Sequence, residues 1–164
     1  DLITRTCYPE VLIRNCRMGN NRARGLLLGS RKKTVVEDCY FHTPGAAILF
    51  EGDGYYWYEQ AGVRDVEIRH CVFDDCLYGA ATWGDAVIAT GNGPKHDREQ
   101  SRYHRNIRVE GNTFRVFDPR IVNLYCVDGF LFRRNKIEFT SDYPVVDGQA
   151  ERFVTRNCDN VVIE

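Results

Sequence analysis

The 164-residue chain carries 22 Lys and Arg against 23 Asp and Glu, which gives a formal net charge of −1. A near-neutral charge gives no argument for a nucleic-acid or anionic-membrane partner, and no apolar run is long enough to span a bilayer. The balance conceals a segregation of charge. Residues 11–36 contain seven basic residues and no acid, whereas residues 51–85 contain eight acids and two bases.

An eight-residue pattern of alternating apolar positions recurs five times along the chain. The copies are residues 11–18, 34–41, 66–73, 107–114 and 130–137, and a sixth begins at Val161. The sixth position of the copies is Cys16, Cys39, Cys71, Asn112 and Asn135, at spacings of 23, 32, 41 and 23 residues. A base period of about 23 residues with insertions is typical of a solenoid.

The alternation within each copy predicts a strand, and a second strand is predicted between copies. These second strands are residues 25–29, 46–50, 85–90 and 120–125, and no stretch has helical periodicity. The predicted fold is therefore all-β, a right-handed parallel β-helix of about five to six rungs. Residues 1–164 are predicted to form a single segment without visible end caps, part of a longer protein, with loop insertions at about 51–62 and 91–105.

The sixth position of the repeat is predicted to stack as an internal ladder. Asparagine at such a bend bonds backbone groups of the next rung, and cysteine is expected to fill the same volume without those bonds. The chain has seven cysteines and no Cys-x-x-Cys pair. We expect buried thiols and no zinc site.

The first insertion places four consecutive aromatic residues, 55–58, between acidic ones. A strand buries alternate residues, so some of these rings must face outward. Exposed Trp and Tyr rings suit the C–H faces and hydroxyls of a sugar, although they also suit packing of the loop onto the rung. Candidate sugar-binding residues here are Glu51, Tyr56, Trp57 and Tyr58.

The adjacent acids Asp74 and Asp75 follow a ladder position. When two carboxyl groups are neighbours, the pKa of one of them rises while the other stays ionised. A general acid and a general base need this difference in protonation. A solvated acidic turn is the alternative. Asp53 is expected one rung away, at a separation compatible with the ~6.5–9.5 Å between the carboxyl groups of inverting glycosidases.

Other catalytic motifs are lacking. The insertion at 91–105 mixes charges and is predicted to be a solvated loop. No two histidines stand at ligand spacing with a carboxylate, so no transition-metal site is predicted. There is no nucleotide-binding loop and no serine-hydrolase elbow.

Several runs make the chain resemble glycoside hydrolase family 110. The more specific ones are residues 22–25 (Arg-Ala-Arg-Gly) and 52–59 (Gly-Asp-Gly-Tyr-Tyr-Trp-Tyr-Glu), and the similarity extends through residues 62–69 and 83–88 before fading at about residue 117. The resemblance implies an exo-acting, inverting α-1,3-galactosidase with a glycan substrate, no metal and no cofactor. It implies a secreted, periplasmic or cell-surface bacterial protein.

The family's catalytic carboxylates fit Asp53, Asp74 and Asp75 best, with Glu110 and Asp85 next. Arg24 and Trp83 join the sugar-binding candidates. Nucleic-acid binding and membrane insertion are not expected, and the sequence does not indicate an oligomeric state.

Two alternatives stay open. A pectinase-like or lyase-like β-helix would also act on a polysaccharide, but a polygalacturonase is expected to carry Gly before its Asp pair, where this chain has Phe73. A non-catalytic carbohydrate-binding or adhesin β-helix would keep the aromatic residues without needing the acids.

Overall fold

The structure is a computed structural model that describes residues 8–50, 62–91, 101–145 and 147–164. Sixteen strands in these ranges form three parallel sheets, and each successive strand of the chain joins the next sheet in turn. Strands of one rung therefore stack on those of the next, about 4.8 Å apart. The predicted parallel β-helix is confirmed.

The three sheets have the following members. Sheet A contains β1 (Val11–Arg14), β4 (Lys33–Glu37), β7 (Asp65–Arg69), β10 (His104–Glu110), β13 (Val127–Arg133) and β16 (Asp159–Ile163). Sheet B contains β2 (Arg17–Gly19), β5 (Tyr40–His42), β8 (Val72–Asp74), β11 (Thr113–Val116) and β14 (Lys136–Phe139). Sheet C contains β3 (Leu26–Leu28), β6 (Ile48–Phe50), β9 (Ile88–Thr90), β12 (Val122–Tyr125) and β15 (Phe153–Arg156).

Each of the first five rungs contains three strands, where the sequence pattern predicted two. The repeat of eight residues is split by a bend between sheets A and B, and one residue of each bend adopts a positive φ of 53–66°. These residues are Asn15, Asp38, His70, Gly111 and Arg134. A single left-handed residue turns the chain without interrupting the alternation of apolar positions, and this is why the pattern looked like one strand.

The core between the sheets is filled by stacked side chains at equivalent register positions. In sheet B, the rings of Phe41 and Phe73 stack at 5.1 Å and those of Phe73 and Phe114 at 4.7 Å. All three phenylalanines are completely buried. Such a column of rings fixes the register of sheet B, because a shift of one residue would turn every ring to the outside.

The predicted ladder is confirmed at the bend between sheets A and B. The side-chain oxygen of Asn112 accepts the backbone N–H of Cys71 at 2.9 Å, and that of Asn135 accepts the N–H of Asn112 at 2.9 Å. The Asn112 amide also donates to the carbonyl of Ile68 at 3.0 Å. Each asparagine thus ties its rung to the one before it.

The expectation that the ladder cysteines make no such bonds was wrong. The Cys39 thiol donates to the carbonyl of Ile13 at 3.7 Å, and the Cys71 thiol donates to that of Val36 at 3.7 Å, each on the preceding rung. Both thiols are buried, and burial raises the pKa of Cys71 to about 12. The thiol therefore serves as a weak donor at the same position.

The outer face of sheet A carries a row of alternating charges, one residue from each rung. In register order the row is Arg14, Glu37, Arg69, Glu110 and Arg133. Glu37 bonds Arg14 at 3.0 Å and Arg69 at 2.7 Å, and Glu110 pairs with Arg133. Only 9% of the Glu37 side chain is exposed, whereas the side chains of Arg14 and Arg69 are 57% and 44% exposed.

We expect Glu37→Gln to lower the free energy of unfolding by about 1–2 kcal/mol, because it removes charge-assisted hydrogen bonds to two arginines. The matched control is Glu138→Gln on sheet B, where the side chain is 37% exposed and bonds Lys136 at 2.5 Å. An exposed pair contributes less than about 1 kcal/mol. Urea denaturation of both variants makes the comparison, and equal losses would contradict the importance of the buried position.

Candidate functional site

The candidate site lies at the corner where the chain passes from sheet B to sheet C. The connections at this corner stack on one another. The Arg24 guanidinium donates to the carbonyl of Thr82 at 3.3 Å, and the N–H of Ala46 donates to the carbonyl of Trp83 at 3.0 Å. We call this edge the B–C corner. It gathers loops from several rungs, and loops on a rigid solenoid are the usual carriers of function.

Asp74 is the last residue of β8 and points outward from sheet B. One carboxylate oxygen accepts a hydrogen bond from the Tyr40 hydroxyl, and the other accepts one from Arg115 Nη1 at 2.8 Å. The side chain is 16% exposed. Burial and the bond to Asp74 raise the pKa of Tyr40, so the tyrosine stays a donor. These two donors fix the orientation of the Asp74 carboxyl group.

Asp75, the next residue, has the opposite environment. It turns into the corner with φ of 42° and is only 3% exposed. Its Oδ1 accepts the Thr140 hydroxyl at 2.5 Å. Burial, together with the charges of Asp74 and Asp142, raises the pKa of Asp75 above its usual value. Of these two neighbours, Asp75 is therefore a carboxyl group that holds its proton to higher pH than an ordinary aspartate.

Three rings line the corner next to this pair. His42 stacks on Tyr78 at 4.9 Å, and Tyr78 stacks on Tyr143 at 5.3 Å. His42 Nδ1 lies 2.8 Å from the carbonyl of Asp74, and the Tyr143 hydroxyl lies 3.4 Å from His42 Nε2. Because a carbonyl can only accept, Nδ1 of His42 carries a proton and donates it to this bond. The partly exposed rings form an apolar wall beside the carboxyl groups.

The backbone after β8 is held in an uncommon conformation. Leu77 has φ of 76°, which is costly for a branched, non-glycine side chain. The N–H of Leu77 is bound by the carbonyl of Thr43 at 3.0 Å, and the Leu77 side chain is buried. Packing and hydrogen bonding thus fix the turn that orients Asp75.

Two further candidates, Arg24 and Trp83, reach the same corner. Arg24 and Trp83 come together through the bond to Thr82, and the short 3-10 helix Ala81–Trp83 leaves the indole partly exposed. Asp85 lies farther along, in a groove of about 360 Å³ on the outer face of sheet C, with Arg120 and Glu151 among its lining residues. Arg24 and Trp83 therefore lie on neighbouring connections of the B–C corner, and their role in sugar binding stays a prediction.

Glu110 is placed elsewhere. It ends β10 on the outer face of sheet A, where it pairs with Arg133 in the row of alternating charges. The other candidates, Glu51, Asp53, Tyr56, Trp57 and Tyr58, lie outside the described residues. The expected separation between Asp53 and the pair Asp74–Asp75 therefore stays a prediction.

Several residues of this site were missed by sequence reasoning. His42, Tyr40 and Arg115 each belong to a strand of sheet B and looked like ordinary outward-facing positions. Thr140, Asp142 and Tyr143 lie in the connection from β14 to β15, about 65 residues after Asp75. The only signal for them was the unusual length of that connection compared with residues 117–121, one rung earlier.

In the part of the chain that the structure describes, no group of three or more His, Cys, Asp or Glu side chains is arranged to hold a metal ion. In the same residues, no helix has the length and apolar character to cross a membrane.

His104, which begins β10, lies away from the corner. Burial lowers its pKa to about 3, and its Nδ1 accepts the N–H of Val63 at 3.2 Å.

Comparison with known proteins agrees with the resemblance found in the sequence. The chain is 41% identical over 160 residues to α-1,3-galactosidase A of Bacteroides fragilis, which covers 97% of this chain and 26% of the relative. It is 36% identical over 159 residues to α-1,3-galactosidase B of Bacteroides thetaiotaomicron, covering 96% and 26%. It is 34% identical over 160 residues to α-1,3-galactosidase B of Akkermansia muciniphila, covering 96% and 20%. No protein-family model matches.

The similarity to α-1,3-galactosidases is confirmed and is more extensive than predicted. It continues through nearly the whole chain, beyond residue 117 where the sequence analysis had it fade. The chain spans about a quarter of the length of these relatives.

Proposed function

Because the chain resembles bacterial α-1,3-galactosidases over 97% of its length, we propose that it supplies catalytic carboxyl groups to an exo-acting glycosidase that removes terminal α-1,3-linked galactose from glycans. The observation that carries the proposal is the pairing of Asp74 and Asp75 in opposite environments. One is bound by Arg115 and Tyr40, and the other is buried with a raised pKa. This is the division of roles that glycoside hydrolysis requires.

In this proposal Asp75 is the general acid. It donates its proton to the glycosidic oxygen as the bond from that oxygen to the anomeric carbon breaks. Asp74 is the general base, and it removes a proton from the water that attacks the anomeric carbon from the opposite face. The products are free galactose and the shortened glycan, with inverted configuration, and one water is consumed.

The ring wall of His42, Tyr78 and Tyr143 supports a sugar substrate. Partly exposed aromatic rings offer apolar area to the C–H face of galactose, and the tyrosine hydroxyls offer hydrogen bonds. Trp83 and Arg24, on the neighbouring connections, extend the same surface. Asp53, Tyr56, Trp57, Tyr58 and Glu51 remain candidates for further contacts, and Asp85 for the continuation of the substrate along sheet C.

The test uses the complete reading frame that contains these 164 residues. Its product should release galactose from galactosyl-α-1,3-galactose, and α-1,4- and α-1,6-linked galactosides serve as controls for linkage. Proton NMR of the reaction should show β-galactose first, as inversion demands. If α-galactose appears first instead, the reaction proceeds with retention of configuration, and the inverting mechanism is rejected. Absence of turnover on every α-galactoside would reject the enzyme and favour a carbohydrate-binding role.

Export from a bacterial cell belongs to the same proposal, on the strength of the family resemblance. Fractionation of cells that express the complete reading frame tests it, and a purely cytosolic product would reject it.

A further inference from the structure

A polar groove of about 360 Å³ crosses the outer face of sheet C and extends over the third, fourth and fifth rungs. We call it the sheet C groove. Five polar side chains line it, namely Asp85, Arg120, Asn123, Glu151 and Arg156. The rest of its lining consists of alanine and valine side chains. Hydrogen bonds, rather than ring stacking, are therefore the interactions that this groove offers to a ligand.

Arg120 is held in this groove by a buried carboxylate. Asp118 is 1% exposed, and its Oδ1 accepts hydrogen bonds from the backbone N–H and the Nε of Arg120 at 3.0 and 2.7 Å. Its Oδ2 accepts one from Nη2 at 2.9 Å. This bidentate pair leaves Nη1 outside it, on a side chain that is 24% exposed. Because the guanidinium is fixed before any ligand arrives, a ligand that binds it loses little side-chain entropy.

One connection joins the sheet C groove to the proposed catalytic pair. Arg115 bonds Asp74 at 2.8 Å, and Phe117, two residues later, contacts the Tyr143 ring of the ring wall at 5.2 Å. Arg120 follows three residues after Phe117. The Cα atoms of Arg115 and Arg120 are thus at most ~18 Å apart, since an extended chain spans no more than about 3.6 Å per residue. A short oligosaccharide can extend from the corner into the groove.

The charges of the groove favour a neutral ligand. Its lining has two acids, Asp85 and Glu151, and two bases, Arg120 and Arg156. The charge of Arg120 is in addition paired with that of Asp118. A groove without excess positive charge does not concentrate anionic ligands. The hydroxyl groups of a neutral sugar both donate and accept hydrogen bonds, and they find acceptors and donors side by side here.

We propose that the sheet C groove binds neutral sugar units of a glycan, and that Arg120, fixed by Asp118, is the residue that anchors them. This inference rests on the proposed glycosidase function. When the terminal galactose lies at the pair Asp74–Asp75, the groove receives the sugar units of the leaving part of the glycan. Glycans that reach the groove should therefore bind more tightly than the disaccharide.

The first test compares galactosyl-α-1,3-galactose with a tetrasaccharide that extends it by two neutral hexoses at the reducing end. Arg120→Lys keeps the charge but loses the planar fork, and it should raise the ratio of the two KM values, tetrasaccharide over disaccharide, about tenfold. The loss should appear in KM rather than in kcat, because the contact is remote from the reacting bond. An unchanged ratio would overturn the role of Arg120.

Arg156→Gln probes the same groove at an exposed position that does not depend on the buried carboxylate. It should raise the KM ratio in the same direction, and its folding does not require the pair Asp118–Arg120. If both variants fold and neither changes the ratio, the groove does not bind the substrate and the proposal is rejected.

The matched control is Arg152→Gln, beside Glu151 in the chain. The Arg152 guanidinium lies over the Phe139 ring of sheet B, 4.9 Å from its centroid, and not in the sheet C groove. Its removal should leave the KM ratio where it is. A rise equal to that of Arg120→Lys would assign the effect to the general charge of the surface and would overturn the proposal.

A second measurement does not depend on turnover. Titration calorimetry follows binding of the trisaccharide that remains when the tetrasaccharide has lost its terminal galactose, and Arg120→Lys should weaken this binding about tenfold. Failure of the trisaccharide to bind an active enzyme would reject the groove and keep the proposed function. Binding that Arg120→Lys weakens in a protein without galactosidase activity would reject the proposed function and keep the groove. Tighter binding of a sulfated trisaccharide would overturn the neutral ligand.

Discussion

Asp75→Asn should reduce the release of galactose from galactosyl-α-1,3-galactose by a factor of about 10²–10⁴. Asparagine has the same shape and still accepts the Thr140 hydroxyl bond, but it has no proton to give to the leaving oxygen. The loss should therefore appear in kcat rather than in KM. Initial rates of galactose release at saturating disaccharide make the measurement.

The same substitution should leave the protein equally stable or more stable at neutral pH. The folded-state pKa of Asp75 is raised, so the folded protein retains a proton that the unfolded chain releases as the pH rises above about 3.8. Ionisation of Asp75 then costs folding stability at neutral pH, and below the unfolded pKa this cost vanishes. The advantage of Asp75→Asn should consequently disappear at about pH 3.

Asp74→Asn is the matched control for stability and should have the opposite sign. It removes the charge that pairs with Arg115 at 2.8 Å, so it should lower the melting temperature at neutral pH. Thermal unfolding of the two variants distinguishes the two environments. An Asp75→Asn variant that is folded and fully active would remove Asp75 from the mechanism, and equal destabilisation by both changes would contradict the assignment of their environments.

Asn112→Ala should lower the free energy of unfolding by about 2–5 kcal/mol. The change leaves the backbone N–H of Cys71 and the carbonyl of Ile68 buried without their side-chain partners. Each buried polar group left unpaired costs about 1–3 kcal/mol, and the small side chain leaves a cavity as well. Urea unfolding followed by circular dichroism measures the loss.

Asn112→Cys tests the same position more conservatively. Cysteine occupies this place in earlier rungs, and the backbone N–H of Cys39 faces the sulfur of Cys71 in the same way that the N–H of Cys71 faces Asn112. Asn112→Cys should therefore cost clearly less than Asn112→Ala. If both changes cost the same, the ladder position contributes volume alone, and the hydrogen bonds do not matter.

The solenoid was predictable because the same few types of side chain recur at the ladder position, once in each coil. Asn112 and Asn135, at a spacing of 23, reveal one coil with almost no insertion. The third strand of each rung was not predictable from the same pattern. It depends on the backbone φ of one residue per bend, and residues as different as Gly111 and Arg134 adopt that conformation.

The candidate site was predictable only where its parts are neighbours in the chain. Asp74 and Asp75 were found because two adjacent acids stand out. Thr140 and Tyr143 were missed because they meet Asp75 and His42 through the stacking of rungs, which places residues from distant connections at one corner. Sequence spacing reveals which rung a residue belongs to, but it does not reveal how far a long connection folds back over earlier rungs.

The alternating charges on sheet A also bear on how the coils find their order during folding. In a solenoid each coil contacts only its neighbours, so a growing structure can in principle skip a coil and continue. If β4 stacked directly on β10, Glu37 would meet Glu110, and if β7 stacked on β13, Arg69 would meet Arg133. Like charges at that distance repel, whereas the native order always sets opposite charges side by side. The row thus disfavours a skipped coil as it forms. It thereby favours the native stacking order of the coils during folding.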